Sequence, residues 1–124
     1  MAWESRYLNM MNQWLILKQE GKCIDRYLKN HGYNTVAVYG MAIYGRHVIR
    51  ELQESDVKIM YGIDRKKMEA YKNVKVIRPA EGMPLVDIII NTVLHDHVGI
   101  KVNLAKLTSS PVVSLEDVIF ESYS

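Results

Sequence analysis

The stretch VYGMAIYGRH, residues Val38 to His47, determines how this chain is interpreted. It closes an apolar, β-branched run and places Gly40 and Gly45 five residues apart. A phosphate-binding turn of the form G-x-G-x-x-G has this pattern, except that Ala42 stands at the middle glycine position. The stretch therefore predicts a strand, a tight turn and a helix. Backbone N–H groups of Met41 and Ile43 are expected to face an anion at the start of that helix.

An acidic residue stands where the second strand is expected to end. In dinucleotide-binding turns such a residue follows the glycines by about 20 positions and binds the ribose hydroxyls. Asp64, at the end of the run VKIMYGID, meets this requirement, and the adjacent Arg65 suits a 2′-phosphate. The alternative interpretation is structural: the glycines serve turn and packing, and Asp64 caps a short helix predicted over RKKMEAY, residues 65–71.

Strand-like and helix-like segments alternate along the rest of the chain. The predicted strands are TVAVYG, VKIMYGID, VKVI, VDIIINTV and PVVS. The predicted helices are YGRHVIRELQE, RKKMEAY, HVGIKVNLAKL and a last one that starts at a capping motif of Ser114 and Asp117. This alternation predicts an α/β fold with a doubly wound parallel sheet of about five strands in the order 3-2-1-4-5. The link from Arg78 to Leu85 is too short for a full helix.

The sequence predicts a single domain over residues 1–124. Its first 32 residues form a helical extension, and residues 35–124 form the α/β core. A second helix is expected to stop at His31 and Gly32. The first helix carries an apolar stripe with helical spacing, formed by Trp3, Tyr7, Met10, Trp14 and Leu17. Two alternatives stay open for this stripe: it packs on its own domain, or it contacts a second copy or a neighbouring domain.

Composition excludes several classes of protein. The chain has 124 residues, of which 48% are hydrophobic and 24% charged, as in ordinary globular proteins. A net charge of +2, without alternating basic and aromatic residues, predicts no nucleic-acid partner. No membrane span and no signal peptide are predicted, so a cytoplasmic location is expected. With Cys23 as its single cysteine, the chain cannot form an internal disulfide.

The stretch NTVLHDHVGIK follows the fourth predicted strand, across the switch point from the glycine turn. Ligands of such sheets bind at the carboxyl ends of these strands, so residues there are expected to contact one. His95 and His97 flank Asp96, but neighbours on a turn do not converge on one ion, so no metal site is predicted and Asp96 is interpreted as a helix cap. The candidate cofactor-binding residues are Gly40, Met41, Ala42, Ile43, Gly45, Asp64, Arg65, Asn91, Thr92 and His95.

No catalytic residue is predicted. Tyr71 and Lys75 have the spacing of a dehydrogenase pair, but they lie between a short predicted helix and the third strand. No nucleophile elbow, lysine-bearing phosphate loop or zinc-protease motif occurs. A small oxidoreductase is therefore a less favoured alternative, because hydride transfer needs a substrate pocket that this chain has little left to build.

Three motifs together resemble a known family. YGMAIYG at 39–45, YGID at 61–64 and VDIIINT at 86–92 are similar to the YGxGxxG turn, the YxID strand end and the VDxIIxT strand of Rossmann-like modules. Such modules occur with bacterial glycosyltransferases and other enzymes of surface-polysaccharide synthesis. The resemblance covers nearly the whole chain. It implies a module that binds NAD, NADP or a nucleotide-sugar and is accessory to polysaccharide biosynthesis, not catalytic alone.

The main alternative is an interaction domain that keeps this scaffold without a small ligand. Its working surface would be the stripe on the N-terminal helix. That helix would contact a second copy, giving a homodimer, or a partner enzyme.

Overall fold

The computed structural model describes residues 2–124, which form five α-helices and six strands. In chain order they are α1 (Trp3–Gln19), α2 (Asp25–Asn30), β1 (Thr35–Tyr39), α3 (Ile43–Leu52), β2 (Lys58–Ile63), β3 (Ala70–Tyr71), β4 (Val74–Ile77), β5 (Ile88–Asn91), α4 (His97–Ala105), β6 (Val112–Ser114) and α5 (Leu115–Glu121). A 3₁₀ turn, Leu94–Asp96, precedes α4. The α/β class predicted from the alternating segments is confirmed.

The strands form one mostly parallel sheet in the order β3-β4-β2-β1-β5-β6. The central strand β1 pairs in parallel with β2 on one side and with β5 on the other. Strands β4 and β6 continue the parallel pairing outward, and β3 alone is antiparallel, paired with β4. Along the chain, the strands are therefore added first on one side of β1 and then on the other. The order reverses between β1 and β5.

Residues 65–71 depart from the prediction. No helix forms there; the chain runs irregularly to β3, which joins β4 through a tight turn at Lys72 and Asn73. These two residues have positive φ angles of 48° and 68°, as a type I′ hairpin requires. Seven residues are too few for a stable helix by themselves, whereas the edge of β4 offers backbone partners. The sheet therefore has six strands, where the sequence predicted about five.

Apolar side chains cover both faces of the sheet. Helices α1, α2, α3 and α5 pack on the face to which Val36 and Val38 of β1 point. Helix α4 and the helix-free segment 78–87 cover the opposite face, to which Ala37 and Tyr39 point. Alternate residues of a strand point to opposite faces, so the last residue of β1 lies on the α4 side.

One carboxylate ties the N-terminal helices to α3. The side chain of Glu51 is 8% exposed and accepts hydrogen bonds from the indole N–H of Trp14 (3.2 Å) and the amide of Ile24 (2.7 Å). The ammonium of Lys18 lies 3.3 Å from the same carboxylate. Met10, Trp14 and Leu17 are buried in the core of this face. Own-domain packing therefore accounts for these members of the α1 stripe.

Two predicted helix ends are confirmed. Helix α2 is followed by His31 and by Gly32, whose φ is +73°. The hydroxyl of Ser114 accepts a hydrogen bond from the amide of Asp117 at 3.1 Å and so caps α5.

Within residues 2–124, none of the helices combines the length and apolar character that crossing a bilayer requires.

We expect Trp14→Ala to destabilise the protein by about 3 to 5 kcal/mol, because it removes a buried indole and leaves a cavity beneath α1. The matched control on the same helix is Leu15→Ala. Its side chain is 56% exposed, so its effect should stay within about 0.5 kcal/mol. Urea unfolding monitored by circular dichroism measures both. Equal losses would show that α1 is not anchored through its inward face.

Candidate functional site

Two glycines shape the turn between β1 and α3. Gly40 has a φ of +90°, and its amide donates to the carbonyl oxygen of Ile63 at 2.8 Å. A Cβ on Gly40 would come within 2.5 Å of the Thr92 hydroxyl. A Cβ on Gly45 would overlap the carbonyl oxygen of Gly40. Both positions therefore require glycine, the first for backbone conformation and the second for close helix packing.

The first turn of α3 presents free backbone donors. The amides of Ala42, Ile43 and Tyr44 have no acceptor within residues 2–124, as is usual where a helix begins. Ala42 is exposed and has a φ of −79°, so the backbone does not require glycine there. The side chain of Ile43 is exposed too. This end of α3 is therefore a region of partial positive charge that faces solvent.

Met41 lies beneath the turn. Its side chain is buried against Gly62 of β2, where an added Cβ would come within 2.8 Å of the Met41 sulfur. Its amide donates to a carboxylate oxygen of Asp64 at 2.8 Å. The backbone donor that the sequence offered to a phosphate is therefore already engaged within the protein.

Asp64 links the end of β2 to the glycine turn. One carboxylate oxygen accepts from the amide of Met41, and the other accepts from the amide of Lys66, also at 2.8 Å. The second bond closes a local turn, so Asp64 does not cap a helix. The side chain stays partly exposed, and a carboxylate has further lone pairs for ligand hydroxyls.

Thr92 supports the turn from β5. Its side chain is 4% exposed, and its hydroxyl lies 2.9 Å and 3.0 Å from the carbonyl oxygens of Tyr39 and Gly40. Its amide donates to Tyr39 as well. The structure thus places Thr92 under the site, where it holds the end of β1, and not on the site surface.

Asn91 is fully buried and arranges the segment that follows β5. Its side-chain oxygen Oδ1 accepts a hydrogen bond from the backbone amide of Val93 at 2.9 Å. Its side-chain nitrogen Nδ2 lies 3.0 Å from Nδ1 of His97. Burial lowers the pKa of His97, with a further lowering from Lys101, so the imidazole is neutral at pH 7 and can accept this bond. The polar atoms of Asn91 are therefore used within the protein.

A cavity of about 230 Å³ opens at the carboxyl ends of β1, β2 and β5, where the strand order reverses. Four of the predicted site residues line it: Gly40, Asp64, Arg65 and His95. Tyr39, Val93, Asp96 and Ile100 complete the lining. Asp96 precedes α4 but forms no side-chain cap bond. The structure therefore gathers residues from three strand ends around one small space.

Tyr39 is one of the four lining residues that the sequence did not predict. Only 6% of it is exposed, and its hydroxyl has no hydrogen-bond partner within residues 2–124. Burial raises the pKa of Tyr39, and Arg65 offsets part of this increase, so the phenol is a hydrogen-bond donor at neutral pH. The alternation of side chains along a strand could have identified Tyr39, because it directs the residue before Gly40 to the sheet face that α4 covers.

The cavity is part of a crevice between the segments that follow β1 and β5, and aromatic rings fill the α3 side of this crevice. The ring of Tyr7 stacks on Tyr44, with centroids 4.9 Å apart. The Tyr7 hydroxyl accepts from the amide of Leu94 at 2.7 Å and pairs with Nδ1 of His95 at 2.9 Å. The ring of Trp3 meets His95 edge-on. Helix α1 thus bridges the elements that follow β1 and β5.

Comparison of the chain with protein-family models, curated proteins and solved structures gives no match. Within residues 2–124, no group of three histidine, cysteine or acidic side chains is arranged to hold a metal ion. The geometry of the cavity and the glycine turn is therefore the basis for a function.

We expect Gly45→Ala to destabilise the fold by about 3 kcal/mol or more, because the new methyl overlaps the Gly40 carbonyl. The gain of about 1 kcal/mol in helix propensity is too small to compensate. Gly21→Ala is the control, since Gly21 has open space and a φ of +76°, which costs about 1 kcal/mol. Thermal unfolding compares the two. A Gly45→Ala protein as stable as the control would contradict the close packing.

Proposed function

We propose that this chain is a Rossmann-like module that binds a nucleotide, NAD(P) or a nucleotide-sugar, in the cavity at the carboxyl ends of β1, β2 and β5. The observation that carries the proposal is the gathering of Gly40, Asp64, Arg65 and His95 around that space. Ligands of open α/β sheets bind where the strand order reverses. The order β4-β2-β1-β5-β6 of the parallel strands supports the proposal, with β3 as an addition at the edge.

Each part of the site has a chemical role in this proposal. The free amides of Ala42 and Ile43, at the positive end of the α3 dipole, bind a phosphate. Asp64 accepts hydrogen bonds from ribose hydroxyls while it keeps its bonds to the turn. The guanidinium of Arg65 supplies a positive charge beside the phosphate.

The biological setting follows from the motif resemblance alone. We propose an accessory role in polysaccharide or glycosyl-transfer biosynthesis, in the cytoplasm, with a partner enzyme that provides the substrate site. The turn and the end of β2 carry two of the resembling motifs and contribute Tyr39, Gly40 and Asp64 to the cavity lining, and Val93 of the lining directly follows the third motif. That coincidence supports the connection between the motifs and a ligand.

We expect Asp64→Ala to lose most of the nucleotide binding that the native chain shows. A thermal-shift titration against NAD, NADP and UDP-glucose measures it, since ligand at 100 times its dissociation constant stabilises a fold by about 2.7 kcal/mol. Glu69→Ala is the matched control, an exposed acid of the same loop outside the cavity. Arg65→Ala removes a side chain with no hydrogen bond or ion pair within residues 2–124, so it should weaken binding without unfolding. No shift with millimolar ligands would refute the proposal.

A second candidate function is self-association through the outer face of α1. A second stripe, distinct from the buried one, repeats every three or four residues as Glu4, Leu8, Met11, Leu15 and Lys18. Leu8 and Leu15 are 72% and 56% exposed. In an antiparallel pairing of two copies, Leu8 of one copy faces Leu15 of the other, and the reverse. A two-fold pairing of this kind makes a second copy of the chain the partner.

We expect the double variant Leu8→Glu, Leu15→Glu to be monomeric under conditions where the native chain is a dimer. Two exposed valines on α4, Val98 and Val102, provide the control as a glutamate pair on a different exposed helix surface. Sedimentation equilibrium distinguishes the species. Deleting α1 would be uninformative, because it removes core residues. A native chain that stays monomeric at 100 µM (roughly the concentration needed to detect a weak interface) would reject this candidate.

A further inference from the structure

We propose that the site accepts a single nucleoside with its phosphates and not a dinucleotide, and that the Tyr39 hydroxyl is a hydrogen-bonding contact to that ligand. This inference rests on the proposed nucleotide-binding function and narrows its ligand class. It favours the nucleoside diphosphate part of a nucleotide-sugar over NAD or NADP.

A dinucleotide needs more space than a single nucleoside. NAD carries two nucleosides joined by a pyrophosphate, which sits at the helix N-terminus of such a fold. The ligand therefore extends across the crevice to both sides of the glycine turn. On the α3 side of this crevice, the ring of Tyr7 occupies the gap between the elements that follow β1 and β5.

Tyr7 is held in that gap by several contacts at once. Its ring stacks on Tyr44 in the first turn of α3. Its hydroxyl accepts a hydrogen bond from the amide of Leu94 and pairs with Nδ1 of His95. Because these partners belong to separate elements, moving the ring aside requires breaking contacts to each of them. The second nucleoside of a dinucleotide therefore has no place on this side.

The opposite side remains open but small. The cavity there measures about 230 Å³, below the roughly 300–1,000 Å³ of most small-molecule sites. His95 contributes both to the cavity wall and to the Tyr7 contact, so it marks the boundary between the filled side and the open side. A space of this size suits one nucleoside, with its phosphates extending past Gly40 toward α3.

The Tyr39 hydroxyl indicates that the open side is built to hold a polar ligand. Tyr39 is 94% buried as a residue, and its hydroxyl has no hydrogen-bond partner within residues 2–124. No fully buried side-chain oxygen or nitrogen in that range lacks a hydrogen bond, so this hydroxyl reaches the cavity surface. Asp64, Arg65 and Asp96 line the same space. A donor, two carboxylates and one cation match the acceptors, hydroxyls and phosphate of a nucleotide.

Isothermal titration of the full chain with ADP, UDP, NAD and nicotinamide mononucleotide tests the ligand class. We expect ADP or UDP to bind at least as tightly as NAD, since only one nucleoside of NAD finds a site. Nicotinamide mononucleotide has one nucleoside but only one phosphate, so it should bind more weakly than the better-bound diphosphate. NAD binding more than tenfold tighter than both diphosphates would overturn the inference while leaving the proposed nucleotide-binding function intact. If none of the nucleotides binds, both fail.

Two tyrosine substitutions test the assigned contacts. Tyr39→Phe removes only the hydroxyl and should weaken the better-bound diphosphate about five- to tenfold. Tyr33→Phe is the control, a tyrosine just before the other end of β1 and outside the cavity. Tyr7→Ala should increase NAD affinity relative to ADP, whereas Tyr7→Phe keeps the ring and should not. Unchanged diphosphate affinity in Tyr39→Phe would remove Tyr39 from the site, whatever the ligand class.

Discussion

The approach of helix α3 to the end of β1 is the constraint on which the site depends. Gly45 lies so close to the carbonyl oxygen of Gly40 that only glycine fits. With the helix start held there, the amide of Met41 turns toward Asp64 at the end of β2. Thr92 at the end of β5 holds the same turn from the other side. One turn is thus bonded to both neighbouring strands, which fixes three strand ends relative to one another.

The N-terminal helix has a larger part in this architecture than an added segment would. Through Trp14 and the carboxylate of Glu51 it belongs to the core of one sheet face. Through Tyr7 it reaches the carboxyl ends of the strands and fills one side of the crevice. The same helix therefore contributes to stability and, in our proposal, limits the size of the ligand. Its outer face exposes Leu8 and Leu15.

Local patterns predicted most of the fold and part of the site. The β1–α3 turn, the strand that leads to Asp64 and the cap at Ser114 all lie where the sequence predicts them. The helix predicted over residues 65–71 is wrong. The structure of this segment depends on pairing with the edge of β4, which its local spacing does not reveal. Asn91 was assigned to the right strand end, but its burial beneath the site was not visible in the spacing.

The sequence by itself determined the order of elements, the α/β class and the positions that require glycine. These follow from strand and helix periods and from backbone sterics, which depend on residues close together in the chain. Only the tertiary structure decided that Asp64 holds the glycine turn, that the Tyr39 hydroxyl has no partner among residues 2–124, and that Tyr7 closes one side of the crevice. The contacts of Asp64 with Met41 and of Tyr7 with His95 join residues 23 and 88 positions apart. Local spacing cannot specify such contacts, because they arise only when the helices pack on the sheet.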